Sequence, residues 1–311
     1  MKVIYNENFN IDLGVLKYLH PFDGMKFCKI HDELAGSDQV EFLSPEGPIE
    51  ISIVDDFLTS VMRHRVKNKN GIMQALEIPK VPFLSYSYLD KKILTPMRWG
   101  VAGTLFGAKK VLEEGGFIWN LSGGYHHAMP QNMEGFCVYN DIGICYQQLL
   151  KDGHVNKDDR ILIIDTDAHH GNGNAQTFMD IPNVVLLDIY NASIYPASEF
   201  TRERVDIPMK LKSGTDGETY LECLKIALSK ITGEFKFAFV IAGTDVLAVD
   251  KLGGLKLTVD DVTEREKVTL KKLADMNVPA VITGGGGYSS ESAIAVTKAI
   301  LAVARDQHQR H

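Results

Sequence analysis

Residues 161–173, Ile-Leu-Ile-Ile-Asp-Thr-Asp-Ala-His-His-Gly-Asn-Gly, begin with four branched apolar side chains and turn polar within one step. A run that is apolar at both alternate positions suits a strand buried on both faces, as in a parallel sheet. Five further runs read the same way: Val3–Tyr5, Phe117–Leu121, Val184–Ile189, Phe237–Ala242 and Val278–Thr283. Between them lie stretches of helical spacing, Gly100–Glu114, Ile142–Lys151, Glu218–Ile231, Val259–Asp275 and Ser289–Arg305. Strands alternating with helices give a mainly parallel sheet covered on both faces. The expected fold is α/β, a three-layer αβα arrangement. With no repeat, low-complexity tract or Pro/Ser-rich linker, residues 1–311 read as a single domain. Residues 22–100 are the least regular part and read as helices joined by long loops.

In open α/β sheets, ligands bind outside the carboxyl ends of the strands. Four of the runs lead into chemically capable residues. Ser122-Gly-Gly-Tyr-His126-His127 follows Phe117–Leu121, and Asp165-Thr-Asp167-Ala-His169-His170 ends the 161 run. Gly243-Thr-Asp245 follows Phe237–Ala242, and Gly284–Gly287 with Tyr288 follows Val278–Thr283.

Asp167 and His169 are two apart in an extended segment, so both side chains go to one side, and Asp165 joins them. Two carboxylates beside an imidazole are costly to bury without a cation. A divalent metal held by Asp167, His169 and Asp245 would offset that cost and leave room for a water. The blander alternative has Asp165 and Asp167 capping the next helix or accepting from glycine-loop amides. Adjacent His126 and His127 can divide labour, one taking a proton from water and the other supporting charge. Asp165 and Asn172 are candidates to fix their tautomers. Gly284–Gly287 lacks the GK[ST] of a phosphate loop, so the glycines read better as a sharp turn presenting Tyr288, whose hydroxyl can donate to an oxyanion. His20, His31, His64, His154, His308 and His311 have no such company and read as surface or loop residues, and Cys137 as packing. No GxSxG elbow is present.

The net charge of −7 argues against direct nucleic-acid binding. Four scattered cysteines without a CxxC pair suit a reducing compartment. The N-terminal stretch does not read as a signal peptide, and no apolar run is long enough for a membrane span. The expected location is cytoplasmic, or nuclear in a eukaryote.

Taken together, SGGYHHAM (122–129), EGFCVYND (134–141), ILIIDTDAHHGNG, AGTDVL (242–247) with LGGL (252–255), and GGGGY (284–288) resemble the zinc-dependent histone deacetylase family. The match runs from about residue 95 to 305, with HPFD (20–23) as a weaker echo. LLDIYNASIYP and GTDVLAVDKLGGL look most like its class IV branch. The resemblance implies the arginase/deacetylase fold with about eight strands. It implies Asp167, His169 and Asp245 as Zn²⁺ ligands, His127 as general base, and His126 as its partner, oriented by Asp165. It implies Tyr288 as the carbonyl-polarising group and Gly135, Phe136 and Tyr195 around a substrate tunnel. It also implies a K⁺ ion near Asp165 and Asp188. Two departures stand out. Asn172 occupies a position where some relatives have aspartate, and the rim aspartate of many relatives has Asp90 as its candidate here.

The implied activity is metal-dependent hydrolysis of the amide of acyl-lysine in proteins, acetyl or longer. The alternatives are deacetylation of small amines such as acetylpolyamines, or a catalytically silent acyl-lysine binding module. Two carboxylates and one imidazole form a hard donor set that could also take Fe²⁺. A two-manganese arginase-like centre would need a further acid in the DAHxD pattern, where Gly171 stands.

Overall fold

The computed structural model describes residues 1–12, 14, 20–81 and 84–308, apart from the side chain of His308. Eight strands form one sheet: β1 (Lys2–Ile4), β2 (Glu41–Leu43), β3 (Phe117–Asn120), β4 (Ile161–Asp165), β5 (Val184–Asn191), β6 (Ile207–Leu211), β7 (Phe237–Ile241) and β8 (Ala280–Thr283). Their order is β2-β1-β3-β8-β7-β4-β5-β6, with every pair parallel. This is the α/β architecture expected. Every residue of β4, β7 and β8 is buried, which is why these runs carry no polar alternation.

The six runs read from sequence are strands, and the two left unread are the sheet's edges. β2 is only three residues and partly exposed. β6 contains Pro208, which a central strand would exclude but an edge tolerates.

The irregular segment 22–100 supplies helices α1 (Lys26–Leu34), α2 (Ile51–Phe57), α3 (Ser60–Arg65), α4 (Lys69–Ala75) and α5 (Tyr86–Leu89). Then come α6 (Thr95–Glu114), α7 (Asp141–Lys151), α8 (Asn172–Thr177), α9 (Glu199–Glu203), α10 (Gly217–Ser229), α11 (Val259–Asp275) and α12 (Ser292–His308). α6 begins five residues before the sequence reading, with Pro96 in its first turn where no amide partner is needed. Asn140 caps α7, and Thr258 with Asp261 forms a capping box on α11.

Arg265 of α11 ties the site-bearing strands together from below. Fully buried, it donates to the carbonyls of Thr166 (3.0 Å) and Gly243 (2.7 Å), just beyond β4 and β7, and pairs with Glu266. Arg265→Ala strands the Glu266 carboxylate and the Gly243 carbonyl, while Thr166 O keeps only the Tyr220 hydroxyl. It is expected to cost about 3–5 kcal/mol in urea unfolding. A loss below about 1 kcal/mol would show that Arg265 is not the brace.

Candidate metal centre

The four strand ends singled out in the sequence belong to β3, β8, β7 and β4, four consecutive neighbours in the sheet. Their loops therefore meet on one rim. Asp141, at the start of α7, accepts from Gly124 N, Tyr125 N and Thr104 Oγ1 and so pins the loop that carries the histidine pair.

Asp167, His169 and Asp245 each turn one donor atom to a common point, all within 4.8 Å of one another. His169 Nδ1 lies 2.7 Å from Asp245 Oδ2 and 3.2 Å from Asp167 Oδ1. Backbone amides hold the carboxylates. Ala168 N donates to Asp245 Oδ1, His169 N to Asp167 Oδ1, and Gly286 N to Asp167 Oδ2. The bland reading is thus half right, since Asp167 does accept a glycine-loop amide. Neither aspartate caps α8, where Gly171 offers no side chain.

The electrostatics ask for a cation. Burial pushes the Asp245 carboxyl up to about 7, and neighbouring Asp167 adds to it. Burial works against a charged His169, yet the two carboxylates outweigh it and raise the imidazole to about 11. The two carboxylates thus favour positive charge at this point. Two carboxylates and one nitrogen at this spacing fit a divalent ion with an open position.

His126 donates from Nδ1 to Asp165 Oδ2 at 2.7 Å, and its Nε2 is 3.7 Å from Asp167. Burial opposes its charge, but these aspartates raise it to about 9. His127 donates from Nδ1 to Asn172 Oδ1 at 2.6 Å. Burial first, then the charges of His126 and His169, drive its pKa well below the usual histidine value. The ring centroids are 4.1 Å apart, yet the aspartates raise the pKa of His126 while burial lowers that of His127.

A tunnel runs from exposed Glu77 and half-exposed Tyr195 to His169. Gly135, Phe136, His127 and Tyr288 line it, as does Tyr195 at its mouth, so the tunnel residues named from sequence are together. Gly135 and Phe136 both have left-handed backbone, φ 54° and 65°. A Cβ on Gly135 would lie 2.4 Å from His127 Cδ2, so only glycine lets this turn approach the imidazole. The Phe136 and Tyr288 ring centroids are 5.6 Å apart. These same residues form one wall of a second, apolar chamber lined by Ile11, Phe22, Leu76, Ile93 and Met97.

Three residues at the site were not read as site residues from the sequence. His20, read as a surface or loop residue, is a correction. It is mostly buried, lines the apolar chamber and meets Phe136 edge-on at 4.3 Å; burial lowers its pKa to about 4. Lys26 is buried over the rings of Phe22 and Phe27. Asp250 Oδ2 accepts from Tyr288 N at 2.7 Å and sets the end of the glycine run. Asp90 is held by Arg98 at 2.9 Å, and the acid lining the tunnel is Glu77 instead. His311 and the His308 side chain lie outside the described residues.

Asp165 and Asp188 are register partners on β4 and β5. Asp188 Oδ2 accepts from His170 Nδ1 and Gly171 N, while its buried Oδ1 has no partner among the described residues. An orphaned carboxylate oxygen beside a second carboxylate fits a monovalent cation.

Gly286 gives a sharp test of the nest. A Cβ there would sit 2.4 Å from Asp245 Oδ2 and 2.8 Å from Asp167 Oδ2. Gly286→Ala is expected to weaken metal affinity by about 10–100-fold, read by competition with a chromophoric chelator. Wild-type affinity would mean that these carboxylates are not the ligands.

A model of the histone deacetylase domain matches residues 54–304. The chain is 31% identical over 309 residues to histone deacetylase 2 of Arabidopsis thaliana, covering 98% of this chain and 79% of that protein. It is 35% identical over 185 residues to the acetoin utilization protein AcuC of Staphylococcus aureus strain COL, or 55% of this chain and 46% of the relative. The crystal structure of the HDA15 HD domain superposes with a TM-score of 0.72 at 18% identity, covering 98% of this chain and 91% of that one. At that identity the superposition speaks for the fold alone. No helix among the described residues is long and apolar enough to cross a membrane.

Proposed function

The chain belongs to the histone deacetylase family, a family of metal-dependent amide hydrolases, and from that membership we propose that it hydrolyses the amide of acyl-lysine in proteins. The observation that carries this reading is the convergence of Asp167, His169 and Asp245 at the inner end of a tunnel that neutral His127 and Tyr288 also line.

Asp167, His169 and Asp245 would hold Zn²⁺, or Fe²⁺. The bound ion would bring water toward a pKa near 7 and polarise the acyl carbonyl. His127 takes the proton of the attacking water through Nε2, because Nδ1 is committed to Asn172. Tyr288, whose hydroxyl burial holds protonated, donates to the oxygen of the carbonyl under attack. His126, whose pKa Asp165 and Asp167 raise, stabilises negative charge, and the proton that His127 took from the water passes to the leaving amine. Phe136 and Tyr195 confine the aliphatic stem of the lysine. Asp165 and Asp188 would hold K⁺.

The apolar chamber beyond Phe136 and Tyr288 favours an acyl group that can exceed acetyl in length. Glu77 at the mouth suits a cationic substrate, which keeps small acetylated amines as the second reading. The test is turnover of acyl-lysine peptides from C2 to C14 and of acetylpolyamines, with Tyr288→Phe alongside. The variant is expected to lose about 10²–10³ in kcat with little change in KM. Turnover of nothing in the panel by a metal-loaded chain would instead favour the silent binding module.

A further inference from the structure

His127 is oriented by an amide where a carboxylate would have a fixed polarity. Asn172 has two orientations, and only one presents Oδ1 to His127. With the amide reversed, Nδ2 would face Nδ1, force the imidazole proton onto Nε2 and leave no lone pair for the water. Something must choose between them. Asn172 Nδ2 donates to Glu134 Oε1 at 2.6 Å, and a carboxylate accepts only, so it tolerates only the productive orientation. Glu134 is itself held. Its Oε2 accepts from Asn132 Nδ2, and Asn132 Oδ1 accepts from Arg65 Nη1 at 2.6 Å.

We propose that Glu134 is the positioning residue of this site: through Asn172 it locks His127 in the Nδ1–H tautomer and supplies, one residue removed, the negative partner that asparagine lacks. The relay runs from Arg65 through Asn132, Glu134 and Asn172 to His127, and each link pairs a donor with an acceptor. Glu134 also meets the Tyr195 side chain at the tunnel mouth, but it is not one of the converging donors. It acts because the next two residues, Gly135 and Phe136, turn left-handed and anchor the segment against the imidazole.

This rests on His127 being the base, so the test separates the two ideas. Glu134→Ala is expected to lower kcat by about 10–100-fold with metal content unaltered, and Tyr195→Phe serves as the control for the Tyr195 contact that the same change removes. Asn172→Asp is also expected to lose activity, because the introduced carboxylate would face Glu134 across a hydrogen-bond distance. The exchange Asn172→Asp with Glu134→Gln restores donor opposite acceptor and is expected to return kcat to within about threefold of wild type, a strong coupling in a double-mutant cycle. Long-range ¹H–¹⁵N spectra of the metal-free protein give a readout independent of turnover. His127 should show one Nδ1–H tautomer in wild type and a mixture in Glu134→Ala. Should Glu134→Ala fold poorly, Glu134→Gln alone, matched in shape, is expected to show the same mixture. Wild-type kcat with an unchanged His127 tautomer overturns the relay, as does an exchange variant no better than the product of its single changes. If wild type hydrolyses nothing, the functional reading fails while the tautomer spectra still decide the relay.

Discussion

Asp245→Ala is expected to purify without metal and to show no turnover above background, while keeping its fold. Two of the three donors at this point are carboxylates, and removing one leaves a single carboxylate and a single imidazole, too few to hold a divalent ion in competition with water. Asp245 also organises its neighbours, since its Oδ1 accepts from Ala168 N and its Oδ2 faces His169. Chelated wild type is the proper control, because its nest stays intact. There His169, raised to about 11 by burial-opposing carboxylates, serves as the cation. A histidine raised in the folded state contributes stability that is complete below its unfolded value near 6.5 and is lost as pH climbs toward 11. Metal needs the same nitrogen deprotonated, so its affinity rises over that range. The metal-induced gain in Tm should therefore grow from pH 6.5 upward in wild type and be absent in Asp245→Ala. One equivalent of tightly bound metal in the variant, or activity within tenfold of wild type, would sink the assignment of Asp245.

The sequence revealed the centre of the sheet because burial on both faces removes polar residues from β4, β7 and β8 and leaves uninterrupted apolar runs. It hid β2 and β6 for the converse reason. Edge strands are short or half exposed, and Pro208 looks like a breaker until one sees that its missing N–H falls on an edge. The site followed the same logic. Asp167, His169, Asp245, the histidine pair and Tyr288 stand immediately after strands, so strand ends located them, and the sheet order made the four ends neighbours. Glu134, His20 and Lys26 come from loops and a helix whose approach to the rim is set by tertiary packing; EGFCVYND and HPFD contain the first two, but nothing in either motif says what the residue would touch. Asp90 shows the opposite error. Its sequence position suggested a free rim acid, while in the fold Arg98 has claimed it and Glu77 lines the tunnel.

His127→Ala should lower kcat by about 10²–10⁴, the range expected for loss of a positioned general base, with bound metal unchanged because His127 is not one of the converging donors. The neighbouring imidazole cannot take over. His126 is held at about 9 by Asp165 and Asp167, whose attraction exceeds the cost of burial, so near pH 7 it already carries the proton a base must accept. His127 is the reverse case: burial, then repulsion from His126 and His169, keeps it neutral well below pH 6.5. A metal cation nearby would push in the same direction. Lowering the pH from 7.5 to 6.5 should therefore not protonate His127, and any loss of rate in that window has to come from another group. The predicted asymmetry is specific. His126→Ala removes a charge and leaves the base, so it should cost less than His127→Ala, and added imidazole should recover part of the rate only where the base is missing. A His127→Ala variant within tenfold of wild type, or one in which His126→Ala is the more damaging change, would reverse the division of labour that the aspartates beside His126 and the burial of His127 impose on the pair.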